Sequence, residues 1–257
     1  MKRGALRQIV RPMNLRSLLF ALGLPALLGV SPLAGQGGPG TRPFEFSTDL
    51  SFINQTGNTE LTTTGFAEKA IFRPGWRWTF TQYAGLIYGK NSGEVKAESY
   101  QTGLQADFAF SPFIGAYGSW GFDRNRFSGL AERYTYSAGM SAFLVDIPSD
   151  QAKVEAGLAR TNQLSTARLK SNFFSARFAG EYRHNFKPTT YVRGALELLP
   201  NLRDAADMRI NSLVEVVAPI SAHIGLKTKY TVKYDHEPAP TFQDTDTILQ
   251  TGLQITF

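Results

Sequence analysis

The chain of 257 residues contains no cysteine. That excludes disulfides, thiolate metal sites and a cysteine nucleophile. Histidine is scarce: His184, His223 and His236 are the three copies. They leave little for imidazole-based metal binding or acid–base catalysis. The sequence also lacks an uninterrupted apolar run of the ~20 residues that a membrane-spanning helix needs. The run from Ser17 to Val30 is too short and contains Pro25. A basic surface for nucleic acid is missing as well. The formal charge is +6, from 27 Lys and Arg against 21 Asp and Glu, but Lys2, Arg3, Arg7, Arg11 and Arg16 all precede residue 17. The remainder is near neutral, without the concentrated basic patch that phosphate binding requires.

The start of the chain reads as an export signal. Arg11 and Arg16 precede the short apolar run, in the order of a secretory signal peptide. We read 1–35 as that peptide and 36–43, rich in Gly and Pro, as a flexible lead-in. No cysteine follows the apolar run, so a lipoprotein anchor is excluded. The folded domain is expected over 44–257.

In that domain the apolar period is two, broken by turn residues every ten to fifteen positions. Phe44, Phe46, Thr48, Leu50 and Phe52 alternate with Glu45, Asp49 and Ser51. Phe174, Ala176, Phe178, Gly180 and Tyr182 alternate with Ser175, Arg177, Glu181 and Arg183. The pattern predicts strands at 44–53, 60–72, 76–89, 97–110, 113–123, 133–145, 151–160, 172–186, 189–199, 208–217, 222–234 and 247–257. Those at 60–72, 113–123 and 151–160 alternate less cleanly. Short turns such as Arg73-Pro74-Gly75 and Lys187-Pro188 alternate with longer polar stretches: Lys90 to Lys96, Arg124 to Glu132, Thr161 to Ser171, Pro200 to Asp207 and Asp235 to Asp246. Trp76, Trp78, Phe110, Phe113, Phe186 and Tyr191 fall beside the short turns, and Tyr88, Tyr100, Trp120, Phe122, Tyr134 and Tyr234 near the long ones. Two aromatic belts, alternating connection lengths and an even strand count are the marks of an outer-membrane barrel. The fold class expected is all-β, a closed antiparallel up-and-down transmembrane barrel of about 12 strands. A soluble sandwich or lipocalin-like barrel is the structural alternative.

The last stretch, Ile248 to Phe257, sharpens that expectation. It resembles the carboxy-terminal assembly signal of Gram-negative outer-membrane barrels: polar, any, glycine, any, any, apolar, any, aromatic. Gln250, Gly252, Ile255 and Phe257 fill those places.

Three further runs carry a family resemblance. They are Asn54-Gln55-Thr56-Gly57-Asn58-Thr59, Asp123-Arg124-Asn125-Arg126-Phe127-Ser128-Gly129 followed by Arg133-Tyr134, and Tyr230 to Pro240 before the last strand. Together they resemble the YdiY-like salt-induced outer membrane protein family over about 44–257. The resemblance implies a barrel, an outer-membrane location and regulation by osmotic stress. It carries no activity.

No catalytic constellation emerges. A twelve-stranded outer-membrane phospholipase resembles this architecture but needs a Ser-His pair at its outer rim, and no such pairing is apparent. We expect no enzyme activity, no cofactor and no metal. Alternation instead sends Glu45, Asp49, Gln105, Asp107, Arg177, Glu181, Arg183, Arg193, Glu197, Arg209, Glu215, Lys227, Lys229 and Lys233 into the lumen. The order suggests acidic groups on early strands and basic groups on late ones. Two readings stand: a narrow polar pore, or a plug of salt bridges in a barrel whose outer loops bind a partner. The partners expected are membrane lipid and the barrel-assembly machinery, with no nucleic acid and a monomeric barrel. The solute is left open.

Overall fold

The computed structural model describes residues 42–56, 61–91, 94–187, 190–204, 207–238 and 242–257. The export signal read at 1–35 and most of the lead-in lie outside the described residues. Twelve strands follow in order: β1 (Phe44–Thr56), β2 (Leu61–Phe72), β3 (Trp78–Asn91), β4 (Glu94–Ala109), β5 (Ile114–Asn125), β6 (Leu130–Asp146), β7 (Asp150–Ser165), β8 (Lys170–Lys187), β9 (Thr190–Pro200), β10 (Met208–Pro219), β11 (Ile224–Asp235) and β12 (Thr245–Thr256). Each pairs antiparallel with its sequence neighbours, and β1 pairs with β12, so the sheet closes on itself. Closure leaves no row of unpaired backbone groups, which hydrocarbon would not tolerate.

The side chains divide as the period-two pattern requires. Leu50, Phe52, Phe66, Phe178, Leu196, Val214 and Leu253 are exposed on the outer face. Arg209, Glu215 and Asp246 point inward and are only 6%, 5% and 5% exposed. Charge inside and grease outside is the reverse of a soluble domain and the arrangement of a barrel solvated by lipid. The lipocalin-like alternative is overturned by this interior, since such a fold would bury its apolar face instead.

One end of the barrel carries β1's start, β12's end and the short turns; we term it the turn end. Aromatic rings pack around it on the outside: Phe72 against Phe80, Trp78 against Phe80 and Phe108, Phe108 against Phe110, Phe46 against Phe257. Tyr191 does not belong to this belt. It shares the inward face with Arg193, and its hydroxyl reaches Glu215 and Gln254.

At the opposite end the connections are shorter than the polar stretches suggested. β7 and β8 leave only residues 166–169 between them, and β5 and β6 only 126–129. Thr161, expected in a loop, pairs with Phe173 inside the β7–β8 ladder. The reason is that a strand needs only about 9–11 residues to cross a bilayer. β6 has 17 residues and β8 has 18. The extra length continues the same ladders past the apolar band, where polar residues sit comfortably in strands.

The closing seam has a steric requirement. Gly252 of β12 pairs with Ser51 of β1, and a Cβ placed there would strike the Leu50 carbonyl oxygen and the Ser51 Cα. Only glycine lets these two strands approach so closely. Phe257 then donates its N–H to the Phe46 carbonyl at 2.9 Å.

Candidate functional site

The inward residues form two ladders of alternating charge. The first joins β4, β7, β8 and β9. Lys153 Nζ lies 2.6 Å from Asp107 and 2.7 Å from Glu155; Arg177 lies 2.6 Å from both Glu155 and Glu197. Gln105 donates to Glu155 at 2.9 Å, and the Arg177 guanidinium stands 4.9 Å from the Tyr117 ring centre. The second joins β8 to β1 across the seam. Arg193 meets Glu181 at 2.7 Å and Glu215 at 3.5 Å; Lys227 meets Glu215 at 3.4 Å and Asp49 at 2.8 Å. Alternation of sign lets each carboxylate offset its neighbour's cation, which charges removed from bulk water require.

Toward the end opposite the turns, contacts run across the interior. Arg133 on β6 reaches Asp235 on β11 at 3.3 Å. These strands stand five positions apart in a ring of twelve, so the pair spans the lumen. Arg209 donates to the Thr161 hydroxyl at 2.8 Å and lies over the Phe173 ring. Nearer the turn end, Glu45 pairs with Arg73 at 2.7 Å, while Arg183 bonds Asn185 and stacks 3.8 Å from the Tyr191 ring centre.

The wall formed by β2 and β3 differs. Lys69 and Tyr83 are directly paired there and both face inward. Lys69 is exposed and Tyr83 is 41% exposed, although protein encloses them. Glu181, whose charge acts on Lys69, is itself 44% exposed. These side chains border water-accessible space inside the barrel. Among the described residues, Lys69, Lys229 and Lys233 make no ion pair or side-chain hydrogen bond.

All fourteen predicted lumen residues lie on the inward face, but not as segregated rows. Glu155, Glu181, Glu197 and Glu215 interleave with the arginines and lysines of β7 to β11, so the expected division into acidic early and basic late strands is corrected. Local pairing drives this: each buried cation needs an anion within reach on the adjoining strand. Sequence reasoning missed Lys69, Tyr83, Tyr117, Arg133, Lys153, Glu155 and Asp235. The histidines do not converge. His184 bonds Asp150 at the turn end, and His236 bonds Tyr234 at the other. Of the four terminal motif residues, Gln250 and Gly252 face inward with Lys229 and Lys227, and Ile255 and Phe257 face outward.

A closed twelve-stranded barrel with an apolar exterior and a charged interior has a porin-like fold. Its fold is similar to that of a solved porin. The NanC porin superposes with a TM-score of 0.53 at 9% identity, covering 81% of this chain and 98% of that one. The translocator domain of the autotransporter NalP from Neisseria meningitidis superposes at 0.48 and 12% identity, covering 86% and 90%. In sequence, the profile of the family described as "Protein of unknown function, DUF481" matches residues 48–257. The chain belongs to that family. It is 23% identical over 218 residues to the "Uncharacterized protein YdiY" of Escherichia coli (strain K12), covering 82% of this chain and 83% of that protein.

Proposed function

We propose that the protein is a narrow, water-filled channel of the bacterial outer membrane, without enzymatic activity, delivered there by signal-peptide export and barrel assembly. The observation that supports this reading is the exposure of charged and polar side chains on the interior wall. Lys69, Tyr83 and Glu181 point into the barrel yet remain open to water. A barrel filled solid would seal them. The ladders narrow the bore from the β7–β11 side, and the Arg133–Asp235 pair constricts one end. Small polar solutes fit such a passage; bulky ones do not.

The competing reading is a non-conducting barrel that binds a partner through outer loops. It draws less support, because the β5–β6 and β7–β8 hairpins close within four residues each. Planar-bilayer recording separates the two. The channel reading expects discrete conductance steps of small size; silence from a folded, inserted barrel would refute it. The osmotic link implied by the family resemblance concerns expression, and transcript levels after a salt upshift test it separately.

A further inference from the structure

Among the charges facing the lumen, Lys69 is singular in its setting. The carboxylates across from it are occupied: Glu181 by Arg193, and Glu215 by Lys227 and Arg193. Lys69 itself has no partner among the described residues and is open to water. Its direct cross-strand neighbour is Tyr83, which places the two side chains within about 5 Å at their Cβ atoms.

Tyr83 has an unusual posture. Its ring leans across β4, and its hydroxyl end lies over Gly103 and Gly121, which pair with one another. A Cβ on Gly103 would collide with the ring edge and hydroxyl, and one on Gly121 would come within 3.3 Å of the hydroxyl. The two glycines therefore make a flat bed for the ring. The phenol end thus lies close over the backbone of both glycines, while the residue as a whole stays 41% exposed. An ammonium without a direct ion pair beside a part-exposed aromatic ring brings two recognition elements together. The first attracts a carboxylate, and the second offers apolar stacking area to a ring.

We infer that Lys69 and Tyr83 form a solute-contact site in the lumen, and that it takes a small organic anion in which a carboxylate is attached to a ring. The carboxylate sits on the Lys69 ammonium and the ring lies against Tyr83. This rests on the channel reading for its physiological sense, but binding can be measured without transport.

Benzoate and acetate are suitable probes, since they share the carboxylate and differ in the ring. Two measurements on the purified full-length barrel are needed, with the folded state checked by heat-modifiable electrophoretic mobility. In planar bilayers, benzoate should reduce the chloride-carried current, and acetate should require about tenfold more for equal reduction. In saturation-transfer NMR with the detergent-solubilised barrel, benzoate should show contact. Lys69→Gln and Tyr83→Leu should each weaken both signals about tenfold. Lys69→Arg, which keeps the charge, should retain them. A conducting barrel in which benzoate neither blocks nor binds overturns the site and leaves the channel. A silent barrel that binds benzoate through Lys69 overturns the channel and leaves the site. Equal action of acetate and benzoate, or block unchanged in both weakening variants, overturns the assignment.

Discussion

Arg177→Met tests whether the ladders hold the barrel together. Arg177 lies 2.6 Å from Glu155 and from Glu197, and its side chain is 12% exposed. Methionine keeps most of the stem and removes the charge. Breaking a buried ion pair from one side costs roughly 3–5 kcal/mol where the stranded partner has nothing else. Here both carboxylates keep a donor: Lys153 at 2.7 Å for Glu155 and Asn211 at 2.9 Å for Glu197. Glu197 also meets some water, being 29% exposed. The expected loss is therefore at the lower end, about 3 kcal/mol. Adding Glu155→Gln and Glu197→Gln removes the two under-compensated charges and, with Lys153 still held by Asp107 at 2.6 Å, should restore about 2 kcal/mol of it. Urea unfolding in detergent micelles, followed by the fluorescence of Trp76, Trp78 and Trp120, gives the midpoints. A loss below about 1 kcal/mol for Arg177→Met, or no recovery in the triple variant, would refute the reasoning.

Three further perturbations probe the faces and the seam. Phe178 is the outward neighbour of Arg177, paired with Ala156 and Leu198 and 51% exposed; Phe178→Arg should cost about 2–4 kcal/mol in lipid, and a neutral outcome in liposome unfolding would put Phe178 outside the apolar band. Gly252→Val would force a side chain into Leu50 and Ser51, so the closed, heat-modifiable form should lose about 1–3 kcal/mol, and an unchanged midpoint would contradict the tight seam. Deleting Phe257 removes two backbone hydrogen bonds to Phe46, at 2.9 and 3.5 Å, and one ring contact, which should cost about 1–2 kcal/mol in vitro. If the terminal motif is an assembly signal, membrane levels in cells should fall much further than that loss explains, whereas normal levels would count against it.

Much of the architecture was legible in the sequence because lipid and lumen impose opposite chemistries on alternate residues. β1, β8 and β11 have bulky apolar residues on one face and charges on the other, so their period reads directly. β2, β5 and β7 do not. On β5 and β7 the outward positions include Ala116, Gly118, Ala152 and Ala156, too small to announce an apolar face, while Tyr117 points inward. On β2 a carboxylate, Glu68, takes an outward place bonded to Gln82 at 3.3 Å. Those are the strands that hold the missed Lys69, Tyr117, Lys153 and Glu155. Pairing was harder still to anticipate. Lys227 meets Asp49 across 178 positions and Arg133 meets Asp235 across 102. Such partners follow from closure and register rather than from local pattern. The polar stretches taken for outer loops misled for a related reason: beyond the bilayer, polarity no longer distinguishes strand from loop.

Water inside the barrel is the claim on which the channel and its site both depend. Cysteine labelling tests it directly, because the native chain has no cysteine to interfere. Lys69→Cys and Tyr83→Cys place a thiol on the inward face; Phe66→Cys and Phe178→Cys place one among the exposed outer residues. In proteoliposomes, a charged, membrane-impermeant thiol reagent should modify both inward cysteines and spare the outward pair, which lipid covers. Inward thiols that stay unreactive in a folded barrel, with reagent able to reach them only after unfolding, would show a dry interior and contradict the account.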